Sequence, residues 1–296
     1  MRTRMRKTAS SRWMYTNDRG EAASDVPELI TLGYDRFSEA IPLPDHRHDR
    51  SYEFVYMESG RATWEVGGAS YASHAGQLFH TRPGEVHRAR SNHIEPCSIW
   101  WMIVLDPAET KGWLRLEERE RVTLADALRE APRVATIGPG ALEPLRRMRL
   151  VLEQGGALRA LEIRTGIVDL LLRALRPGKS PDLPPDLSEA LVKLCARIQA
   201  EPERRWTTAE LASTLGVGDS HVYRVFREAV GQSPASYIER VRVERACERL
   251  TRTDVSVTEV AFELGFKTSQ HFATVFKRYT GLTPTQWRHH SRPQTL

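Results

Sequence analysis

A short pattern occurs twice in the last hundred residues, and few folds accommodate it. The first copy runs Glu210-Leu211-Ala212-Ser213-Thr214-Leu215-Gly216-Val217, then Val225-Phe226-Arg227, Gly231 and Pro234. The second runs Glu259-Val260-Ala261-Phe262-Glu263-Leu264-Gly265-Phe266, then Val275-Phe276-Lys277, Gly281 and Pro284. The offset is 49 residues from Leu215 to Leu264 and 50 from Phe226 to Phe276, so one residue is inserted at the second turn. A repeat of this length reads as one supersecondary unit used twice.

Each copy spells two helices joined by a tight turn. Ala212 and Ala261 are small where the helices must approach. Gly216 and Gly265 fall at the turn, where a positive φ costs glycine little. Asp219 or Ser220, and Thr268 or Ser269, are expected to cap the second helix. Val222, Val225 and Phe226 form its apolar stripe in the first copy, and Phe272, Val275 and Phe276 in the second. The opposite face carries Ser220, His221, Tyr223 and Arg224, or Ser269, Gln270, His271 and Thr274, which reach base edges if the helix enters a major groove. Arg227, Lys277 and Arg278, toward the helix ends, are placed to meet phosphates. A helical bundle with merely solvated polar faces explains one such copy. It does not explain two with matching turns and Gly-x-x-Pro endings.

Residues 190–290 resemble the DNA-binding domain of the AraC/XylS family of bacterial transcription regulators. Ser233-Pro234-Ala235-Ser236-Tyr237, Arg242, Ala246 and Leu250 resemble that family's long linker helix. Val257 to Arg288, with Gly265-Phe266, Phe272, Phe276-Lys277, Gly281 and Thr283-Pro284, resembles its most diagnostic stretch. The resemblance implies that the base-reading positions are Ser220, His221, Tyr223 and Arg224, and Ser269, Gln270, His271 and Thr274. Members often carry Arg where this chain has Thr274, so the first helix is expected to dominate specificity.

At 296 residues the chain has room for two cored domains. A net charge of +5 permits a polyanionic partner without demanding one. Its three cysteines, Cys97, Cys195 and Cys247, form no C-x-x-C pair, which suits a reducing cytoplasm and excludes a disulfide framework or zinc finger. No run approaches the ~20 apolar residues of a membrane helix. Residues 1–25, rich in Arg, lack an apolar segment that would make them a secretion signal and are expected to be a disordered basic tail.

From residue 26 to 110 the texture changes. Tyr52 to Met57, Ala62 to Val66, Gln77 to His80 and Ile99 to Val104 alternate like strands, and Gly67-Gly68 signals a hairpin. Short strands with regular turns predict an antiparallel barrel or jelly roll. Within it, His46-x-His48-x4-Glu53 and Pro83-Gly84-x2-His87 resemble the two cupin motifs. His46 and His48, two apart on a strand, share a face. Three imidazoles and a carboxylate suit Zn, Fe, Ni or Mn. Departures are Ala40, where the first motif would have Gly, and a shortened spacing before Pro83. The resemblance to sensor domains implies that such residues commonly serve without metal. His46, His48, Glu53 and His87, with Trp64, are therefore expected to line an effector pocket, with no metal or cofactor; a metal at the four residues and purely structural hydrogen bonding are the alternatives. Trp100 and Trp101 must point to opposite faces of their strand.

Residues 111–180 read as a helical connector. Leu145, Met148 and Leu152 form one apolar row; Leu161, Ile167, Val168, Leu171, Leu172 and Leu175 form another; Gly155-Gly156 breaks them into a hairpin. This hairpin is the expected homodimer interface. A Pro-rich linker at 181–188 precedes the helix-turn-helix domain at 189–292. The expected fold is α+β with two domains: an antiparallel cupin or jelly-roll barrel with a helical hairpin, then an all-α double helix-turn-helix. The expected function is DNA-binding transcription regulation, an activator responding to a small molecule such as a sugar or organic acid. Its partners are double-stranded DNA and RNA polymerase, with no membrane and no enzyme activity. A metal-dependent cupin enzyme fused to a DNA-binding domain, and an effector-independent regulator, are the rivals.

Overall fold

The computed structural model describes residues 11–17, 25–176 and 183–291. The chain divides into two compact units, residues 1–37 with 43–180, and residues 38–42 with 181–296.

The first unit is built on strands β1 (Ser11–Thr16), β2 (Leu29–Arg36), β4 (Ser51–Ser59), β5 (Arg61–Val66), β6 (Ala69–His74), β7 (Gln77–Thr81), β8 (His87–Ala89), the two-residue β9 (His93–Ile94), β10 (Ser98–Leu105) and β11 (Val134–Thr136); the two-residue β3 (Ile41–Pro42) is grouped with the second unit. An antiparallel sheet runs β1-β2-β10-β4-β7-β11, and a second runs β6-β5-β8. The sheets face each other: Trp64 on β5 stacks on Phe79 of β7 with ring centroids 5.0 Å apart. The β5–β6 hairpin turns on Gly67 and Gly68, both at positive φ (56° and 83°), as a two-residue turn of this hand requires.

β4 is buried along Ser51 to Met57, on both of its faces. Glu53, Val55 and Met57 look between the sheets. Tyr52, Phe54 and Tyr56 look the other way, joining Trp100, Met102 and Val104 of β10 beneath the helical hairpin α2 (Leu142–Gln154) and α3 (Arg159–Leu175). The hairpin closes this core with Leu145, Met148, Val151, Ile163, Ile167, Leu170 and Leu171. Burial of each such side chain contributes about 1.5–3 kcal/mol before entropy is counted. Trp100 and Trp101 do take opposite faces. Trp100 packs tilted against Tyr34, ring centroids 4.9 Å apart. Trp101 lies flat on Gly33, where an added Cβ would come within 2.3 Å of its ring. Gly33→Ala is therefore expected to lower the melting temperature by several degrees while sparing the second unit's own transition, a result readable by calorimetry.

The structure departs from the sequence reading in four places. Residues 11–16, expected to be tail, form an edge strand in register with β2, from Ser11 opposite Arg36 to Thr16 opposite Thr31; Trp13 and Tyr15 pack on the main core. The rest of that tail, residues 1–10 and 18–24, lies outside the described residues. The connector is not wholly helical: after α1 (Glu118–Glu130), β11 extends the large sheet by pairing with β7. The second apolar row is split, because Ile163, Ile167, Leu170 and Leu171 are buried whereas Leu161 and Leu172 face solvent. The helical domain begins earlier than expected. Residues 177–182 lie outside the described residues, and Pro185 already opens a helix, where its missing N–H is harmless.

The second unit holds α4 (Pro185–Ala200), α5 (Thr208–Leu215), α6 (Asp219–Ala229), α7 (Pro234–Arg252), α8 (Val257–Glu263), α9 (Ser269–Thr280) and α10 (Pro284–Ser291). One core joins Leu194, Ile198, Leu211, Leu215, Val222, Val225 and Phe226 to Tyr237 and Val241 of α7. A separate core joins Val243, Ala246 and Leu250 of α7 to Val260, Ala261, Phe266, Phe272, Val275 and Phe276. The long helix α7 thus serves both helix-turn-helix units, one with each half.

Candidate functional site

Each helix-turn-helix unit begins with a reciprocal cap. Thr207 and Glu210 close the start of α5, and Ser256 and Glu259 close the start of α8. Gly216 and Gly265 sit at the turns with φ of 65° and 74°. Ala212 and Ala261 are buried at the helix crossings. The cap of α9 is Thr268, whose hydroxyl accepts from the His271 N–H at 3.1 Å. The cap expected at Asp219 or Ser220 is absent: α6 begins at Asp219 behind Gly218, with no side-chain cap.

With the apolar stripes of α6 and α9 buried, their remaining faces are fixed. On α6, Ser220, Tyr223, Arg224 and Arg227 are exposed and His221 is half-buried. The spacing of three, four and seven places them on one side. Arg224 donates to His221 Nε2 at 2.8 Å, which holds the guanidinium extended over that face. On α9, Gln270, His271, Thr274 and Lys277 are exposed and Ser269 is half-buried. The Thr274 hydroxyl donates back to the Gln270 carbonyl at 3.0 Å. Arg278 departs from the expectation. Its guanidinium is bound to the Glu239 carboxylate of α7 and lies over Tyr279, so it braces α9 rather than facing outward. Among the cations assigned to phosphate, Arg227 and Lys277 are exposed.

The second cluster lies between the sheets. Glu53 projects from β4 and His87 from β8, while His46 is bridged to His87 through the backbone, each N–H donating to the other's carbonyl at 3.0 Å. His48 comes from the following turn. His87 Nε2 is 2.6 Å from Glu53 Oε2, His46 Nε2 is 3.8 Å from it and His48 Nε2 is 3.7 Å from it. Glu53 and His87 are buried; His46 and His48 reach solvent. Burial opposes ionisation of Glu53, but the hydrogen bond from His87 and the close approach of the His46 and His48 imidazoles outweigh it and hold the carboxylate well below its ordinary range. Glu53 in turn raises the His46 imidazole against the opposing effect of burial.

The outer nitrogens decide what the cluster can hold. His46 Nδ1 lies 2.9 Å from the Pro44 carbonyl and His87 Nδ1 lies 3.0 Å from the Glu85 carbonyl. A carbonyl oxygen only accepts, so both Nδ1 atoms are donors, and both rings turn Nε2 inward toward the Glu53 carboxylate, where a bound ion would find it. His48 Nε2 is buried with no hydrogen-bond partner. The four ligand atoms lie within 4.8 Å of one another. An ion bound at about 2.0–2.2 Å from each donor needs donors roughly 3–4.4 Å apart, which small side-chain rotations supply. Backbone-anchored imidazoles of fixed tautomer are the outer-shell arrangement of metal sites. The residues therefore fit a first-row divalent ion. Such an ion would supply a Lewis-acidic position able to take an oxygen or nitrogen donor of a small molecule.

Trp64 also departs from its expected place in a pocket. It is buried, its Nε1 donates to Ser73 at 2.9 Å, and Phe79 covers one face. It fills the barrel. The sequence reading missed the carbonyls of Pro44 and Glu85, because a backbone acceptor leaves no signature in residue identity.

Comparison with known proteins agrees with both halves. A helix-turn-helix domain family matches residues 211–290 and a cupin domain family matches residues 39–103. The HTH-type transcriptional activator RhaS of Escherichia fergusonii is 24% identical over 249 residues, covering 83% of this chain and 87% of that protein. The HTH-type transcriptional activator RhaR of Escherichia coli is 32% identical over 111 residues, 37% of this chain and 39% of that protein. An uncharacterized HTH-type transcriptional regulator of Haemophilus influenzae is 32% identical over 91 residues, 31% of this chain and 30% of that protein. With the latter two, the match spans less than half of the relative's length. An AraC-type transcriptional regulator structure from Chromobacterium violaceum aligns with 38% of this chain and 96% of its own, at 26% identity and a TM-score of 0.33. With a cupin domain ahead of two helix-turn-helix units that share one long helix, the chain is similar to the AraC-type helix-turn-helix regulators.

Proposed function

We propose that this protein is a cytoplasmic, sequence-specific DNA-binding transcription regulator. The carrying observation is the matched pair α6 and α9. Each buries a complete apolar stripe and leaves a polar, cationic face outward, and both are mounted on α7. At about 1.5 Å per residue, the 19 residues of α7 span roughly 28 Å, close to the ~34 Å between successive major-groove segments on one side of a duplex. The two relatives named as transcriptional activators support activation, through contact with RNA polymerase, as the output. Selection from random duplex DNA tests the reading: the full-length protein should enrich one bipartite motif, and enrichment of no motif would refute it.

Within that reading, Arg224→Ala is expected to cost about 1–3 kcal/mol at the selected site and to relax preference at one base pair. Equal binding by the mutant to every single-base variant of the site, with wild-type affinity, would move Arg224 out of the groove. Lys277→Ala or Arg227→Ala should lower the log–log salt slope by roughly 0.9 without changing base preference. Arg278→Ala should leave the slope alone, because Glu239 already neutralises it.

The protein acts as a homodimer through α3. Leu158, Leu161, Thr165, Val168, Leu172 and Leu175 alternate at spacings of three and four, the seam of a coiled coil. Leu158, Leu161 and Leu172 remain 61%, 53% and 42% exposed. An apolar stripe left so exposed beside a complete core calls for a cover, and a second copy of the same stripe supplies one. His46, His48, Glu53 and His87 form the sensory site, holding a divalent metal ion that anchors a small effector such as an organic acid. Hydrogen bonding of the effector directly to the four side chains is the second reading.

A further inference from the structure

The two helix-turn-helix cores meet at one residue. Val241 belongs to the first core and Val243 to the second. Arg242 lies between them on α7. Its Nε donates to the Pro202 carbonyl at 2.7 Å, its Nη2 to the Arg204 carbonyl at 3.1 Å and its Nη1 to the Gly265 carbonyl at 3.5 Å. Its guanidinium lies over the Phe266 ring, 5.6 Å from the centroid. All three acceptors are backbone atoms, two in the α4–α5 loop of the first unit and one at the turn of the second. Burial lowers the Arg242 pKa.

Both ends of this bridge are stiff. The α4–α5 loop is tied to α5 by Arg204, which reaches Glu201 at 3.0 Å and Glu210 at 3.3 Å and stacks on Trp206. Glu210 is the capping carboxylate of α5. At the other end, Phe266 is buried against Phe272 of α9, ring centroids 5.1 Å apart. The two ends also touch directly. A Cβ built on Gly265 would lie 2.4 Å from the Glu203 carbonyl oxygen, so glycine is needed here for close approach as well as for its positive φ. The first helix-turn-helix thus gains a hold on the second beyond the continuity of α7. A helix alone bends gently. A planar fork on three fixed carbonyls resists both bending and twisting.

We propose that Arg242, seated against the Gly265 turn, is the positioning residue that fixes the distance and rotational phase between α6 and α9, and thereby sets which spacing of two base-pair segments the protein accepts. The inference rests on the reading that both helices bind DNA. One inserted base pair rotates the second segment by roughly 35° and moves it ~3.4 Å, so a rigid junction rejects it and a loosened one follows it.

The test uses the bipartite site selected by the full-length protein, rebuilt with zero, one or two base pairs added or removed between its segments. Affinities are measured for wild type, Arg242→Lys and Arg242→Gln. Wild type is expected to lose about tenfold or more for each one-base-pair change. Both variants should flatten this dependence to within about threefold, since Lys keeps the charge but not the fork. Binding to a site whose second segment is scrambled should be unchanged, which reports that the first unit is intact. Circular dichroism reports the whole fold; if Arg242→Gln is unfolded, Arg242→Lys decides. A folded variant that keeps the wild-type spacing profile overturns the proposal, as does one that loses affinity equally at every spacing. A wild-type protein that prefers no two-segment site overturns the DNA reading itself, and this inference with it.

Discussion

Leu161→Arg combined with Leu172→Arg is expected to turn the dimer into a folded monomer, raising the dimer dissociation constant a hundredfold or more. Two cations on each helix would face their symmetry mates across an apolar seam, and burying them unpaired costs several kcal/mol. The folded monomer should hardly notice, because both leucines already face solvent and exposed substitutions usually fall within about 0.5 kcal/mol. Affinity for an operator with two copies of the site should fall by about 10²–10⁴, as each protomer loses the effective concentration its partner confers. Sedimentation and operator titration read the two effects separately. Leu171→Ala is the control: this residue is fully buried in the main core, so it should cost ~2–5 kcal/mol of stability instead. A double mutant that remains a dimer would place the interface elsewhere.

The second large effect concerns the barrel. One equivalent of Co²⁺, Ni²⁺ or Zn²⁺ is expected to bind at His46, His48, Glu53 and His87, with Co²⁺ giving ligand-field bands. Glu53→Ala or His87→Ala should lose this binding by a hundredfold or more, beyond the 10–100-fold typical of outer-shell changes. Protons compete for the same imidazole nitrogens, so affinity should rise with pH between about 5.5 and 8. The mutants should also lose their response to effector while the second unit keeps its DNA affinity, because a ligand shifts the protein only through differential affinity for its states. Absence of stoichiometric metal, with an effector response still sensitive to Glu53, would favour direct effector contacts.

The legible features were the local ones. The double helix-turn-helix was readable because caps, turn glycines and apolar stripes all lie within a few residues of one another. The barrel strands were readable from alternation, and the grouping of His46, His48, Glu53 and His87 from the resemblance to the cupin motifs, although His46 and His48 lie on an isolated bridge and a loop rather than on one strand. What the sequence hid depends on distant partners. β1 exists because β2 offers it an edge, and a basic stretch in isolation carries no sign of that. Arg278 lost its outward role to Glu239, 39 residues earlier on another helix. In α3, two apolar rows compete for the sheet, and helical periodicity does not say which is buried. Leu161 and Leu172 lost to Ile163, Ile167, Leu170 and Leu171. Arg242 reads as one more surface arginine until the carbonyls it gathers are seen.

The most direct test of the central claim is an interference footprint on the selected site, using guanine methylation in the major groove. Two protected windows on one face, their centres about 10–10.5 base pairs apart for each protomer, are the predicted result. Arg224→Ala should erase a contact in one window, and Gln270→Ala one in the other. A single window, or a pattern unchanged by either substitution, would contradict the claim that α6 and α9 read successive turns of the duplex.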